Sequence, residues 1–259
     1  MDGEVHRLEY DDDFVKFTLC FPKPSCEEYE RRLKTLVDNG FTHLIEYGER
    51  FLNYRIIGKG FSSISVLANN RIYGLGLLKL RRLDSRRNNL EYEGFILNYL
   101  EKTNYVPKVF LWSRDFIFRE FLNNCVSLHV LLREMWIKND IDNLLYVFRR
   151  VINALYLLDL LEIEHTELNR PHGHIYWCNN VVKIIDWESS RLTSRPSNLT
   201  MFMSYVLHRS IISSNLQNLM KNELRKYCIE LLKNYKISRK PGLVRDLIKF
   251  LEQLLSRQV

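Results

Sequence analysis

The chain has little cysteine and no long apolar run, and each shortage removes a class of function. Its five cysteines, Cys20, Cys26, Cys125, Cys178 and Cys228, form no CxxC pair and no Cys/His zinc spacing. A zinc ribbon or finger is therefore not expected, and the cysteines read as mostly buried thiols. Cys20 and Cys26 bracket Phe21 to Ser25, and would cross-link only in an oxidising or very hot setting. The greasiest stretch, Ala154 to Leu161, is short and carries Asp159, so no membrane span is expected. Met1-Asp2-Gly3-Glu4 has neither the basic nor the apolar region of a secretory leader, which predicts a cytoplasmic protein. Repeats and low-complexity segments are absent as well.

What is present is enough for a large core. The chain has 259 residues, 46% of them hydrophobic, and a net charge of +7 that favours anionic ligands without selecting one. Residues 1–50 read as an extension with one helix. It holds a short alternating strand from Phe14 to Leu19, then a helix capped by Ser25 that ends near Asn39-Gly40. Residues 51–122 switch to short strands, Leu52 to Ile57, Ile64 to Ala68 and Ile72 to Lys79. A helix from Asn89 to Leu100 and two further strands, 108–112 and 116–121, complete this part. Residues 123–259 are mostly helical, with apolar residues three and four apart over 127–135, 141–163, 199–212, 216–235 and 243–255. The fold class is α+β.

Three features carry chemistry. Gly58-Lys59-Gly60 joins two strands, where missing side chains let backbone N–H groups approach phosphate oxygens; an ordinary hairpin turn is the plainer alternative. Lys79 ends a strand among apolar neighbours, a position that suits a point charge for phosphates. Glu93 lies three, four and seven residues from Ile96, Leu97 and Leu100. Its carboxylate therefore sits on the apolar face of the helix and needs a partner, for which Lys79 is the candidate. Glu91 shares its face with Gly94 and Asn98 and reads as solvated. Downstream, Asp186 follows the apolar Ile184-Ile185, about twenty residues after His165-Thr166-Glu167-Leu168.

In this order the Gly58 hairpin, Lys79, Glu93, the hinge-like Phe118 to Leu122, the His165 loop and Asp186-Trp187-Glu188 resemble the protein-kinase-like superfamily. More closely, the run from Gly58 to Arg87 and His-x-Glu-Leu-x-Arg-Pro before Ile-Asp-x-Glu look like small archaeal predicted serine/threonine kinases related to RIO kinases. The similarity covers roughly residues 40–210.

That resemblance implies a bilobal kinase-like fold, with a small antiparallel β-sheet N-lobe containing one helix and a mostly helical C-lobe. It implies ATP and Mg²⁺ as cofactors and an unidentified protein as substrate. Gly58, Gly60 and Ser62 would cover the phosphates, Lys79 would contact them and Glu93 would orient Lys79. The main chain of Glu120 and Leu122 would read adenine, and Asp186 would hold Mg²⁺.

The His165 loop departs from the family pattern. Glu167 stands where the family has the Asp that orients and deprotonates the substrate hydroxyl, and an apparent two-residue insertion puts His174 where a metal-binding Asn is expected, with Asn169 or a water as the substitute. Glu188 replaces a glycine, and only about ten residues separate it from the next helix, too few for an ordinary activation segment. The leading expectation is an atypical serine/threonine kinase; the alternatives are a nucleotide-binding pseudokinase or switch, and a small-molecule kinase. The run Arg81, Arg82, Arg86 and Arg87 suits phosphate, but no aromatics alternate with it, so nucleic-acid binding is not favoured.

Overall fold

A computed structural model describes residues 3–256. The chain is α+β, with antiparallel sheets and nine α-helices among the described residues. It divides into two compact units, the first containing residues up to Lys102 together with Pro107–Asn123, the second Thr103–Val106 together with the chain from Asn124 onward. No helix among the described residues is long and apolar enough to cross a membrane.

The first unit contains strands β1 (Glu4–Arg7), β2 (Phe41–Glu46), β3 (Glu49–Phe51), β4 (Tyr54–Ile56), β5 (Gly58–Lys59), β6 (Ser63–Asn70), β7 (Gly74–Arg81), β8 (Val109–Trp112) and β9 (Phe116–Arg119). Its helices are α1 (Asp13–Cys20), α2 (Tyr29–Asp38) and α3 (Glu91–Leu100). One antiparallel sheet runs β1-β2-β6-β7-β9-β8, with β5 paired to β6. Phe14, Val15, Leu19, Phe41, Ile64, Val66, Leu78 and Phe116 belong to its buried core.

Residues 1–50 do not form a separate extension, because β1 and β2 are strands of this sheet and the buried faces of α1 and α2 join its core. Nor is Phe14–Leu19 a strand. Phe14, Val15, Thr18 and Leu19 are buried on one helical face, and the Asp12 carboxylate caps α1 by accepting from the Phe14 and Val15 amides. Ser25 caps nothing: α2 starts four residues later, preceded by Glu28, which makes no side-chain cap. The expected strand from Leu52 is instead the β3–β4 hairpin, whose turn has Leu52 at φ +55°.

In the second unit, strands β10 (Val126–Ser127), β11 (Ile163–Glu164), β12 (Ile175–Cys178), β13 (Val181–Ile184) and β14 (Arg191–Leu192) accompany six helices. These are α4 (Leu128–Ile137), α5 (Ile141–Leu160), α6 (Asn198–His208), α7 (Ser213–Leu219), α8 (Asn222–Ser238) and α9 (Pro241–Leu255). The single helix expected over 216–235 is two, α7 and α8, broken at Met220-Lys221 where both residues are extended.

Its centre is a polar hub. Asp159, fully buried on α5, accepts from the Asn198 amide (3.0 Å) and side chain (2.8 Å), the Leu199 amide (3.3 Å) and the Tyr235 hydroxyl (2.7 Å). A buried carboxylate ringed by neutral donors ties α5, α6 and α8 together.

Four cysteines are paired, against the expectation of mostly free thiols. Cys20 joins Cys26, and Cys125 joins Cys178 across 53 residues. The second pair forms because β10 runs antiparallel to β12, which brings the two cysteines together. Cys228 alone remains a buried thiol, and burial pushes its pKa up to about 11.

Candidate functional site

The first unit builds its charged centre around Lys79. In β7 this residue lies opposite Ser65 of β6 and Ile117 of β9, in the middle of the sheet. α3 comes close to β8 because Gly94 has no side chain: a Cβ there would collide with the Trp112 indole. That approach places Glu93 over the sheet, where Lys79 Nζ donates to Glu93 Oε1 at 2.9 Å and Oε2 at 2.7 Å. Both residues are buried, 7% and 3% exposed. The pairing expected from helix spacing is thus present.

The glycine hairpin lies at the end of the same sheet. Gly58 pairs with Ser65, and the Gly60 amide donates to the Ser63 carbonyl at 2.8 Å. A Cβ on Gly58 would meet nothing within 4 Å, so the packing of this unit does not itself require glycine there. Ser62 is buried beside the turn, and its carbonyl accepts from the Arg82 amide.

Arg82 also donates to the Gly60 carbonyl and grips Asp84, and Arg81 is buried against Asp115. Burial alone would raise the Asp115 pKa, but Arg31, Arg32 and Arg81 bring it below the ordinary carboxylate value. Two of the four arginines of the basic run are therefore committed to this unit's own carboxylates. At the hinge-like segment, the Glu120 amide donates to the Lys108 carbonyl, while its carbonyl accepts from Arg119. The Glu120 main chain, expected to read adenine, is already hydrogen-bonded on both sides. Leu122 lies beyond β9, half-buried.

The second unit gathers the other expected residues. β11 delivers the chain to the His165 loop, and β13 delivers it to Ile185 and Asp186. The Ile185 carbonyl accepts from His165 Nε2 at 2.8 Å, and its amide donates to the His174 carbonyl at 2.9 Å. One residue thereby holds both loops in register. The His165 ring is fully buried and packs 4.8 Å from the Trp187 ring, whose Nε1 donates to the Ile184 carbonyl. Burial lowers the His165 pKa to about 4, so the ring is neutral near pH 7 and Nε2 carries the donated proton. His165 is a loop anchor.

Around that clamp stand Glu167, His174 and Asp186. His174 Nε2 lies 3.2 Å from Glu167 Oε2, and His174 Nδ1 lies 4.0 Å from Asp186 Oδ2. One donor atom from each residue falls within 4.8 Å of the others, a spacing that a divalent cation can bridge. Asp186 has φ +67° and Thr166 φ +68°; the β-branched Thr166 is the greater departure, and its hydroxyl is held by the Ser189 carbonyl. Asn169, the expected substitute ligand, is exposed on the turn before Pro171 and has no hydrogen bond to this group among the described residues.

Glu188 is followed by a short segment pinned at both ends. β14 pairs with β11, Glu164 grips Arg191, and Glu164 also accepts from the Ser197 amide and hydroxyl. α6 begins at Asn198.

Sequence reasoning missed Asp159 and Asn198, which set the His165 loop. Asn198 donates to Asp159 and to the Ile163 carbonyl, and its Oδ1 accepts from the His165 amide at 2.9 Å. An acid inside the most apolar stretch of the chain was the available signal. No protein-family model matches this chain, and no curated protein matches it in sequence.

Proposed function

We propose that the protein is an ATP- and Mg²⁺-dependent phosphotransferase of protein-kinase-like, bilobal type, acting as an atypical RIO-like serine/threonine kinase with a shortened activation segment. The observation that carries this reading is the buried Lys79–Glu93 pair. A buried ion pair is a poor way to stabilise a fold, since well-packed apolar residues of similar volume do as well or better. A lysine held in register by a glutamate, on a sheet whose end carries the Gly58 hairpin, is suited to the α- and β-phosphates of a nucleotide.

In the second unit Asp186 supplies a hard oxygen donor for Mg²⁺, and Glu167 the acid that positions an acceptor hydroxyl. Mg²⁺, when bound, neutralises developing charge on the phosphates. The short, pinned stretch after Glu188 leaves no conventional peptide platform, so a protein substrate is presented in another way or the protein phosphorylates itself. We read its setting as cytoplasmic. Two disulfides fit that setting only where the interior is itself oxidising or very hot.

One observation favours a second reading, a nucleotide-binding switch without phosphate transfer. His174 lies 3.2 Å from the Glu167 carboxylate that would accept the hydroxyl proton, and imidazole is a poor Mg²⁺ ligand. Incubation with γ-labelled ATP and Mg²⁺ separates the two. Transfer by wild type that falls by about a hundredfold or more in Lys79→Ala, Glu167→Ala and Asp186→Ala establishes the enzyme. If ATP raises the melting temperature of wild type while neither label nor ADP forms, the switch reading holds. With neither outcome, both readings fail.

A further inference from the structure

A second cluster of metal-ligating side chains lies within the first unit, at the edge of its sheet. Glu4 and His6 are two residues apart on β1 and so share a face. Glu46 on β2 is the direct cross-strand partner of Glu4. One donor atom each from Glu4, His6 and Glu46 lies within 4.8 Å of the other two.

The His6 ring shows what this group is arranged to do. The residue is only 9% exposed, and the ring packs 4.6 Å from Phe14. Its Nδ1 contacts the Asp12 carboxylate at 2.9 and 3.0 Å. Asp12 is itself fixed as the cap of α1, so Nδ1 is the protonated nitrogen that donates to it. In the neutral ring Nε2 then carries the lone pair. It is buried, has no hydrogen-bond partner among the described residues, and is aimed at Glu46 Oε2, 3.6 Å away.

That distance is too long for a hydrogen bond. It is close to the roughly 3.4 Å that separates two ligands on one tetrahedral ion with bonds of about 2.0 to 2.1 Å. Glu46 is oriented for the task, since its Oε1 accepts from the Arg55 amide at 2.9 Å while Oε2 turns toward His6. Glu4 directly opposite Glu46 is a like-charge cross-strand pair, which opposes β1–β2 pairing unless a cation lies between them. A proton on Nε2 would answer Glu46 and leave Glu4 unanswered.

We propose that Glu4, His6 and Glu46 bind a divalent transition-metal ion, Zn²⁺ in the first instance, with water completing a four-coordinate shell. One imidazole nitrogen and two carboxylates suit Zn²⁺ better than Mg²⁺ or Ca²⁺. Asp12 holds the imidazole in the ligating tautomer, as carboxylates commonly do for metal-bound histidines. The ion fastens edge strand β1 to β2 and to the first turn of α1. This site is independent of the nucleotide chemistry above.

The test is a Zn²⁺ titration of EDTA-stripped full-length protein, followed by calorimetry and by melting temperature. It is made in a His174→Ala background, so that the cluster in the second unit does not contribute. One site per chain is expected, with melting raised by about 5 °C once Zn²⁺ is well above its dissociation constant. Glu4→Gln and Glu46→Gln should each weaken binding by about tenfold or more. Without metal, Glu4→Gln should melt no lower than its parent, because a repulsion has been removed and Glu4 is exposed. A titration showing no site, or a site that both variants leave unchanged, overturns the proposal. In that case His6 pairs directly with Asp12 and Glu46, and Glu46→Gln lowers the melting temperature in EDTA while Glu4→Gln does not.

Discussion

Two buried carboxylates, one in each unit, are answered in different ways. In the first, Glu93 is answered by a cation, Lys79, at 2.7 and 2.9 Å. In the second, Asp159 is answered by neutral groups, two amides, a carboxamide and a hydroxyl. Neutral donors are the economical solution to a structural problem: they fix three helices and need no second desolvated charge. An ion pair in the same situation gives little net stability and is strongly felt when one partner is lost. The contrast sets a carboxylate answered by dipoles, Asp159, against one answered by a charge, Glu93, and the buried Asp115 beside Arg81 and Glu164 beside Arg191 are of the second kind. Glu167 and Asp186, at 41% and 36% side-chain exposure, belong to neither class.

The largest expected effect breaks the ion pair from one side. Glu93→Gln removes the carboxylate charge 2.7 Å from the buried Lys79 ammonium, and should cost about 3 kcal/mol of unfolding free energy in a denaturant titration. Lys79→Met combined with Glu93→Leu should recover most of that loss while abolishing label transfer. If the single change costs under about 1 kcal/mol, the pair is effectively solvated and the contrast with Asp159 disappears.

A smaller effect sharpens the other side. Burial raises the Asp159 pKa above 3.8, and the donors from Tyr235, Leu199 and Asn198 counter that rise only in part. The folded state therefore holds this proton at pH values where the unfolded state has released it. Stability contributed by the group is full below pH 3.8 and falls as pH climbs through the raised folded value. Tyr235→Phe removes one of the lowering donors, so the pKa should rise further. The cost should be about 2 kcal/mol at pH 7 and clearly less at pH 3, below the unfolded value of 3.8, where Asp159 is largely protonated in both states. Equal costs at the two pH values would mean that the hydroxyl contributes packing alone.

The smallest effect concerns the exposed acid. Glu167→Gln should change unfolding free energy by less than about 0.5 kcal/mol, whatever it does to phosphate transfer. A loss above about 1.5 kcal/mol would make the Glu167–His174 contact structural.

Much of the secondary structure was legible because amphipathic helices and alternating strands announce their own periods. α3, α5, α6 and α9, and the strands β6 to β9, lie close to where those patterns put them. Glu93 was legible for the same reason: an acid three and four residues from leucine and isoleucine must enter the core and find a partner. The N-terminal residues misled, because Phe14 to Leu19 fits either period over so few residues, and only the Asp12 cap and packing on the sheet select the helix. The Cys125–Cys178 pair was invisible because it depends on β10 returning to β12 across 53 residues. The Asp159–Asn198 link that sets the His165 loop was hidden likewise, by a separation of 39 residues.

By itself the amino-acid sequence determined most helix and strand periods and the Lys79–Glu93 pairing, since these follow from local periodicity and from the cost of burying an unpaired charge. Tertiary structure alone decided that four cysteines pair, that β1 joins the sheet, and that Glu4, His6 and Glu46 stand around one buried nitrogen. Those outcomes depend on strand register and on contacts between distant segments. A one-residue slip of β1 against β2 would turn Glu4 and His6 to the opposite face.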